Sequence, residues 1–205
     1  MKKYFITGIG TGVGKTVASA IITEALKADY WKPIQSGDLQ KSDSMTVKSL
    51  IQNNQSQFHK EVYLLNKPIS PHAAAEKDGI EIHTSNIKIP NTNNILVIEG
   101  AGGLLVPLNQ EETMINLIKK IKCEVVLVSK HYLGSINHTL MSTKILKENN
   151  IAIKGILFNG NENKETEFII EKMSGIKIIG RINEAEQINS IYIQSEVNRL
   201  KESLK

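Results

Sequence analysis

The sequence predicts an α/β fold, in which helices cover both faces of a mostly parallel central β-sheet. Three observations lead to this prediction. Short apolar runs alternate along the chain with longer segments of helical period, which is typical of βαβ units. The first apolar run leads through a glycine-rich turn into a helical pattern, as in sheets that bind phosphate at a helix N-terminus. The length of 205 residues is enough for one substantial core, and we expect a single domain over 1–205.

The first predicted elements alternate between strand and helix. The apolar run at 2–8 predicts a buried strand, and 15–28 predicts a helix with an alanine, isoleucine and leucine face. A second strand is expected at 30–34, and Pro33 limits it because proline has no backbone N–H to donate to a sheet. A helix is expected over 44–52.

The middle of the chain contains the clearest strand. Residues 94–100 form an apolar run that ends in a carboxylate, and 114–121 has helical period. The apolar run at 123–130 predicts another strand, and 136–150 predicts a helix with polar residues at its end. Because helix-length segments separate the strands, we expect them to lie parallel.

The last elements complete the predicted sheet. Strands are expected at 153–160 and 176–182, with a helix over about 164–174 between them. The final segment, 195–205, is predicted to be an amphipathic helix with a solvated charged face. Ligands bind at the carboxyl ends of the strands in such sheets, so the polar residues that follow the strands are the site candidates.

The composition favours a cytoplasmic protein that binds small anions. The formal net charge is +4 and the lysines are spread along the chain, so we expect no nucleic-acid partner. No apolar run is long enough to span a bilayer and no signal peptide is expected. Cys123 is the single cysteine, which excludes an internal disulfide framework and a cysteine-based zinc site.

A phosphate-binding loop is predicted between the first strand and the first helix. The stretch "GIGTGVGKT" at 8–16 has glycines at alternate positions, followed by Lys15 and Thr16. In such a loop, backbone N–H groups surround phosphate, the lysine adds positive charge and the threonine hydroxyl binds Mg²⁺. The spacing is G-x5-G-K-T rather than the common G-x4-G-K-[ST]. The fold is therefore expected to be P-loop NTPase-like.

An acidic residue at the end of a later strand is the second part of such a site. Glu99 ends the apolar run "ILVIE" at 95–99, and "GAGG" follows at 100–103. This turn would bring backbone N–H groups next to the metal and the phosphates. The alternative is a carboxylate that merely ends a strand.

Five stretches of the chain, taken in order, carry a family resemblance. They are "TGIGTGVGKTVAS" at 7–19, "KPIQSG" at 32–37, "SD" at 42–43, "EGAGGLLVPL" at 99–108 and "LGSINHTL" at 133–140. Weaker matches are "SPHAAA" at 70–75 and "FNGN" at 158–161. Together they resemble the dethiobiotin synthetase family of the biotin pathway. The P-loop alone is common to many NTPases, whereas "KPIQSG" and "EGAGG" are much more specific.

The resemblance implies an ATP-dependent carboxylation followed by ring closure. In the family, CO₂ adds to one amine of 7,8-diaminononanoate to give a carbamate, which ATP phosphorylates to a mixed carbamic-phosphoric anhydride. ADP leaves in that phosphorylation, and the second amine then attacks the carbonyl carbon of the anhydride, expels phosphate and closes the ring of dethiobiotin. The catalytic residues are then Lys15 and Lys32, with Lys32 at the reacting centre. A surface lysine after a strand is the alternative for Lys32.

The resemblance also implies three sets of ligand contacts. The residues expected to bind ATP are Gly10, Thr11, Gly12, Val13, Gly14, Lys15, Thr16, Val17, Glu99, Gly100, Ala101, Gly102 and Asn159. The expected Mg²⁺ ligands are Thr16, Asp43 and Glu99. The residues expected to bind the diamine are Lys32, Ser36, Ser70, Leu133, Gly134 and Asn137. The helix start at 133–137 acts on the neighbouring subunit in the family, which implies a homodimer.

Ordinary structural roles stay open for several of these residues. Asp43 could cap the helix that follows it, and Ser135 could do the same for its own helix. Asn159, whose amide is expected to recognise adenine, could be a loop residue. Asn183 stands where the family often has proline, which leaves the nucleotide-base preference open.

Two other functions stay as alternatives. A ParA- or MinD-like switch ATPase would share the P-loop and the strand-end acid. Such proteins usually carry a second lysine early in the loop, where this chain has Ile9 and Gly10. The other alternative is a related ligase acting on a different amine. ATP turnover that depends on DNA or lipid, or on another small substrate, would favour one of these alternatives.

Overall fold

A parallel seven-stranded sheet forms the centre of the protein, which confirms the prediction of a mostly parallel sheet. The structure is a computed structural model that describes residues 1–204. The strands are β1 (Lys3–Gly8), β2 (Asp29–Trp31), β3 (Ile34–Ser36), β4 (Phe58–His59), β5 (Tyr63–Leu65), β6 (Leu96–Glu99), β7 (Glu124–Lys130), β8 (Ile153–Asn159) and β9 (Ile178–Ile182). The order in the main sheet is β4-β2-β6-β1-β7-β8-β9, and all its neighbouring strands run parallel.

Helices cover both faces of this sheet, which confirms the α/β prediction. In the described part of the chain they are α1 (Lys15–Leu26), α2 (Asp43–Leu50), α3 (Pro71–Lys77), α4 (Met114–Ile121), α5 (Ser135–Glu148), α6 (Lys164–Ser174) and α7 (Ser190–Leu204). Short 3-10 helices occur at Leu39–Lys41 and Thr84–Asn86. The apolar residues of α1, α2 and α7 belong to the core on one face, and those of α3 to α6 belong to the core on the other.

The central strands are apolar throughout because both of their faces are covered. In β1, Tyr4 and Ile6 belong to the core beneath α1, whereas Phe5 between them belongs to the core on the opposite face. In β7, Val126 and Leu127 divide in the same way. This alternation follows from the two-residue period of a strand. Because both faces of the sheet are buried, these strands do not alternate between apolar and polar residues.

The second strand is present, but the predicted end at 34 is wrong, because the chain leaves the main sheet after Trp31. β2 ends at Trp31, and β3 begins at Ile34 and pairs with β5 in a separate two-stranded sheet. Pro33 lies at the break, where it has no N–H to donate and its carbonyl accepts from the backbone of residues 62 and 63. The departure leaves Lys32 at the carboxyl end of β2.

Several short elements were not predicted. β4, β5 and α3 have two, three and seven residues, too few for a periodic pattern to identify them. The last helix begins at Ser190, well before the predicted 195, and Lys205 lies outside the described residues. Within residues 1–204, no helix combines the length and the apolar character that a membrane span requires.

The sheet order brings the candidate residues to one edge. β2, β6 and β1 are consecutive neighbours, so their carboxyl ends lie side by side. The glycine-rich loop follows β1, Lys32 follows β2, and Glu99 is the last residue of β6. The site is therefore positioned by the ends of three adjacent parallel strands, the usual place for a ligand in such a sheet.

Candidate active site

The loop between β1 and α1 has the geometry of a phosphate-binding turn. Gly14, the residue before α1, has a φ of 97°, a left-handed conformation that favours glycine. A Cβ at this position would lie 2.3 Å from the side-chain nitrogen of Asn159. That nitrogen donates to the Val13 carbonyl at 3.0 Å, so the end of β8 supports the loop. The N-terminus of α1, which is the positive end of the helix dipole, therefore lies at the carboxyl ends of the strands.

Lys15 is folded against this loop. Its side chain is almost entirely buried, and its Nζ donates to the Gly10 carbonyl at 2.8 Å. Burial lowers the pKa of Lys15 to about 8, although the nearby Glu99 carboxylate opposes the shift. A buried ammonium with a lowered pKa gains from an anionic partner. A bound phosphate would supply that partner.

Three oxygen-bearing side chains from different parts of the chain meet beside Lys15. Thr16 Oγ1 lies 3.0 Å from Asp43 Oδ1 and 2.9 Å from Glu99 Oε1. A hydroxyl has a single proton to donate, so Thr16 can serve one carboxylate at a time. The predicted metal ligands are thus brought together by α1, the start of α2 and the end of β6.

Lys32 lies between the two carboxylates. Its Nζ is 2.9 Å from Asp43 Oδ2 and 3.2 Å from Glu99 Oε1, and only 3% of the residue is exposed. Burial acts to lower the pKa of Lys32, but the two carboxylates outweigh it and raise the pKa above its ordinary value. Burial likewise opposes the ionisation of Asp43, but Lys32 dominates and lowers the pKa of that carboxyl. Lys32 and Asp43 are therefore both charged at neutral pH.

The proposed capping role of Asp43 is wrong. The N-cap of α2 is Ser42, whose hydroxyl accepts from the Met45 backbone N–H. Asp43 is the first helical residue, so its carboxylate is free to face Lys32 and Thr16. Its own backbone N–H donates to Gln35 Oε1 at 3.2 Å.

Two supporting residues escaped the sequence interpretation. Gln35 is buried and also donates to the Gly37 carbonyl, so one side chain joins the "QSG" turn to Asp43. Tyr30 is fully buried, and its hydroxyl donates to Glu99 Oε2 at 2.8 Å. Burial, followed by the Glu99 charge, raises the pKa of Tyr30 well above its ordinary value. Only the strand pairing of β2 with β6 reveals this contact.

The donor set is suited to a magnesium ion. Two carboxylates and a hydroxyl are oxygen ligands of the kind that Mg²⁺ prefers. Lys32 Nζ lies within hydrogen-bond distance of both Asp43 and Glu99, so the pair already converges on one positive charge. Within residues 1–204, no cluster of three or more His, Cys, Asp or Glu side chains is placed to bind a metal. The third protein ligand in the predicted set is a hydroxyl.

A cleft of about 610 Å³ opens at this edge of the sheet. Of the predicted ATP-binding residues, those that line it are Thr11, Gly12, Gly14, Lys15, Thr16, Val17, Glu99, Gly100, Ala101 and Gly102. Gly10, Val13 and Asn159 instead build the loop through the contacts described above. Most of the predicted nucleotide contacts therefore face one space.

The predicted substrate residues fall into two groups. Lys32, Ser36 and Ser70 line the same cleft. Ser36 Oγ has no hydrogen-bond partner among the described residues, and the Ser70 hydroxyl makes no capping bond to α3 although Ser70 is its N-cap. The Ser36 hydroxyl is thus buried with its hydrogen-bonding capacity unused, in a residue that lines the cleft.

Leu133, Gly134 and Asn137 form the second group and do not line this cleft. All three are exposed, Leu133 completely, around the start of α5. The N-cap of α5 is Gly134, with a φ of 102°, and Ser135 is a buried helical residue. The alternative that Ser135 caps the helix is therefore wrong. In one chain this helix start faces solvent.

Comparisons with known proteins agree with this arrangement. A family model described as an AAA domain matches residues 2–191. The chain is 54% identical over 203 residues to "ATP-dependent dethiobiotin synthetase BioD" of Christiangramia forsetii, a match that covers 99% of this chain and 98% of that protein. Proteins of the same name from Cytophaga hutchinsonii and Chlamydia pneumoniae are 52% and 39% identical. Those matches cover 92% and 98% of this chain, and 91% and 90% of the two proteins.

Two solved structures of similar fold are those of a cell-division protein and a plasmid partition protein. The septum site-determining protein MinD from Pyrococcus horikoshii, complexed with Mg-ADP, has a TM-score of 0.60 at 13% identity, over 99% of this chain and 93% of that one. A putative plasmid partition protein from Borrelia burgdorferi, bound to AMPPNP, has a TM-score of 0.60 at 14% identity, over 98% and 97% of the chains. These similarities confirm the P-loop NTPase-like fold and concern the fold alone.

Proposed function

The chain belongs to the ATP-dependent dethiobiotin synthetase family, and we propose that it performs the carboxylation and ring closure of that family. The substrates are 7,8-diaminononanoate, CO₂ and ATP. The products are dethiobiotin, ADP and phosphate. Identity of 54% over nearly the whole of both chains supports this assignment over the switch ATPases, which resemble the chain in fold alone.

Two lysines with different surroundings share one cleft, and this placement carries the proposal. Lys15 belongs to the phosphate loop, while Lys32 lies between Asp43 and Glu99 at the end of the next strand. A nucleotide hydrolase needs a charge at the phosphate, which Lys15 supplies. The second buried ammonium supports a reaction in which ATP transfers its γ-phosphoryl group to another anion.

The carbamate is that second anion in the proposed reaction. CO₂ and an amine form a carbamate, which carries a negative charge and must approach the negatively charged γ-phosphate. Lys32 would offset this repulsion and stabilise the charge that develops on the transferred group, since phosphoryl transfer depends mainly on positioning and charge neutralisation. Lys15 and the loop N–H groups would hold the phosphates of ATP. Ser36 and Ser70 would contact the diamine.

We propose Thr16, Asp43 and Glu99 as the ligands of a magnesium ion that accompanies ATP. When bound, such an ion neutralises phosphate charge and orients the phosphates. These three residues would place the ion, and with it the nucleotide, at the carboxyl ends of the strands. Lys32 contacts both Asp43 and Glu99 and would hold these carboxylates in place, and it lowers the pKa of Asp43.

We also propose that the enzyme is a cytoplasmic homodimer of single-domain subunits, with two chains forming each active site. Leu133, Gly134 and Asn137 are exposed around the start of α5 and do not line the cleft of their own chain. A helix N-terminus is suited to the carboxylate of the diamine. If these residues act on a second subunit, an equal mixture of inactive Lys32→Ala and Asn137→Ala variants that exchange subunits should recover activity. About half of the dimers would then be mixed, and one of the two sites in each mixed dimer would be intact. The mixture should therefore have about one quarter of wild-type activity.

The proposed reaction is tested by ADP release from purified protein with Mg-ATP and bicarbonate, with and without 7,8-diaminononanoate. We expect ADP release to require the diamine and to equal the dethiobiotin detected by mass. ATP turnover that ignores the diamine would contradict the assignment. Turnover with a different amine would identify a related ligase, and turnover stimulated by DNA or lipid would identify a switch ATPase.

A further inference from the structure

The two carboxylate oxygens of Glu99 have different partners. Oε1 lies 2.9 Å from the Thr16 hydroxyl and 3.2 Å from Lys32 Nζ, both of which line the cleft. Oε2 accepts from the Tyr30 hydroxyl at 2.8 Å. Tyr30 is fully buried and is not part of the cleft wall. One oxygen of Glu99 is therefore held inside the protein and the other is presented to the site.

Strand register explains how Tyr30 reaches Glu99. β2 and β6 are parallel neighbours in which Tyr30 lies beside Val97. Side chains two residues apart in a strand share a face, so Tyr30, Val97 and Glu99 all point toward the α1 side of the sheet. The length of a tyrosine spans the remaining offset along the strand. Phe58 on β4 packs against the ring, with 5.4 Å between the ring centroids, and limits its movement.

We propose that Tyr30 is a positioning residue that holds Glu99 in the orientation required to bind the divalent cation accompanying the nucleotide. The inference rests on the proposed metal role of Glu99. Thr16 and Lys32 are the other donors within reach of the Glu99 carboxylate, and both lie beside Oε1. Without the phenol, the buried Oε2 loses its partner, and rotation toward Lys32 would recover a hydrogen bond. That rotation would turn the carboxylate away from the cation position and hold Lys32 more tightly.

The test is the affinity of the nucleotide-bound protein for Mn²⁺, used as a spectroscopic substitute for Mg²⁺. Tyr30→Phe removes the hydroxyl and keeps the ring. Loss of a hydrogen-bond partner behind a metal ligand typically weakens metal binding by roughly 10–100-fold, so we expect free Mn²⁺, followed by electron paramagnetic resonance with saturating ADP, to reveal at least about ten-fold weaker binding. ADP affinity without metal and the KM for the diamine should stay at wild-type values.

Tyr4→Phe is the matched control. Tyr4 is also buried and also lies beside Val97, but on the opposite neighbour, β1. Its ring contacts Lys2, and it makes no contact with Glu99. We expect wild-type Mn²⁺ binding from this variant. A second control is the double variant with Glu99→Gln, in which Tyr30→Phe should cause no further loss of Mn²⁺ affinity if it acts through Glu99.

The proposal would be overturned if the Mn²⁺ affinity of Tyr30→Phe stayed within about two-fold of wild type, because loss of a group that positions a metal ligand should weaken binding by roughly 10–100-fold. Equal weakening by Tyr4→Phe would also overturn it, because the effect would then be a general loosening of the sheet. Full additivity with Glu99→Gln would do the same. Dethiobiotin formation by the wild-type protein is judged separately, since metal binding needs no diamine. The proposed function and the role of Tyr30 can therefore fail independently.

Discussion

Replacing Lys32 by alanine should separate phosphate binding from phosphoryl transfer if the proposed roles of the two lysines are right. The ammonium lies 2.9 Å from Asp43 and 3.2 Å from Glu99 in a buried site, where water screens charge weakly. If it stabilises the charge that develops on the transferred group, its loss should reduce the turnover rate on the order of 10²-fold or more. Mg-ATP binding should stay measurable, because Lys15 and the loop are unchanged.

The same change also affects the carboxylates, and the experiment has to separate this effect. Glu99 is 1% exposed, and removing one partner of a buried ion pair destabilises a protein by about 3–5 kcal/mol. We therefore expect a lower free energy of unfolding for Lys32→Ala, together with a rise in the pKa of Asp43, which Lys32 now holds down against burial. Denaturant titration of each variant, with and without Mg-ADP, measures this contribution.

Single-turnover formation of ADP, at a temperature where every variant is folded, is the assay. Lys48→Ala, at an exposed lysine on α2, is the matched control and should behave as wild type. Near-normal turnover of Lys32→Ala would refute the catalytic role. A loss of Mg-ADP affinity as large as the loss of rate would refute the separation of roles between the two lysines, because Lys32 would then serve binding.

Three further predictions concern other parts of the molecule. Lys15→Ala should weaken ADP binding and turnover together, on the order of 10²-fold, as measured by titration calorimetry and ADP release. Burial raises the pKa of Cys123 to about 12, so iodoacetamide at pH 8 should modify it slowly in the native protein and rapidly after unfolding. Burial opposes the ionisation of Glu167, but Arg181 outweighs it and lowers the pKa of Glu167. The ion pair therefore stabilises the fold at pH values above the ordinary glutamate pKa, and this stabilisation is lost as the pH falls through the lowered pKa. Arg181→Ala should therefore reduce the acid-induced fall in the free energy of unfolding, and an unchanged acid limb would contradict this.

The long elements of the fold could be predicted because each has a pattern of its own. The helix over 164–174 and the helix over 114–121 have the predicted bounds, since both have a helical period and a polar boundary. The break after Trp31 could not be predicted in the same way. "YWKPI" is apolar on both sides of Lys32, and whether a strand continues past a proline depends on which strand lies beside it.

The candidate site was predictable where a residue's role depends on its neighbours in sequence. Lys15 and Thr16 follow a glycine-rich turn, and Glu99 ends a strand, so their convergence follows from the sheet. Tyr30 had no such signal, because its role depends on the register between β2 and β6. Asp43 was ambiguous for a related reason. Both Ser42 and Asp43 are good capping residues, and only the backbone at residue 42 identifies the cap.

The position of Lys32 reconciles a fold resembling ATPases with a sequence resembling ligases. The two parts expected of a nucleotide site are the loop after β1 and the acidic residue Glu99 at the end of β6, and neither of them comes from β2. Here the chain leaves the sheet directly after β2, and the departure places a buried lysine against both carboxylates. The same departure forms β3, which carries the unpartnered Ser36 hydroxyl to the cleft wall. In the proposed reaction, one break in one strand would therefore supply both the second cation and a substrate contact, and so adapt a nucleotide site to a second reactant.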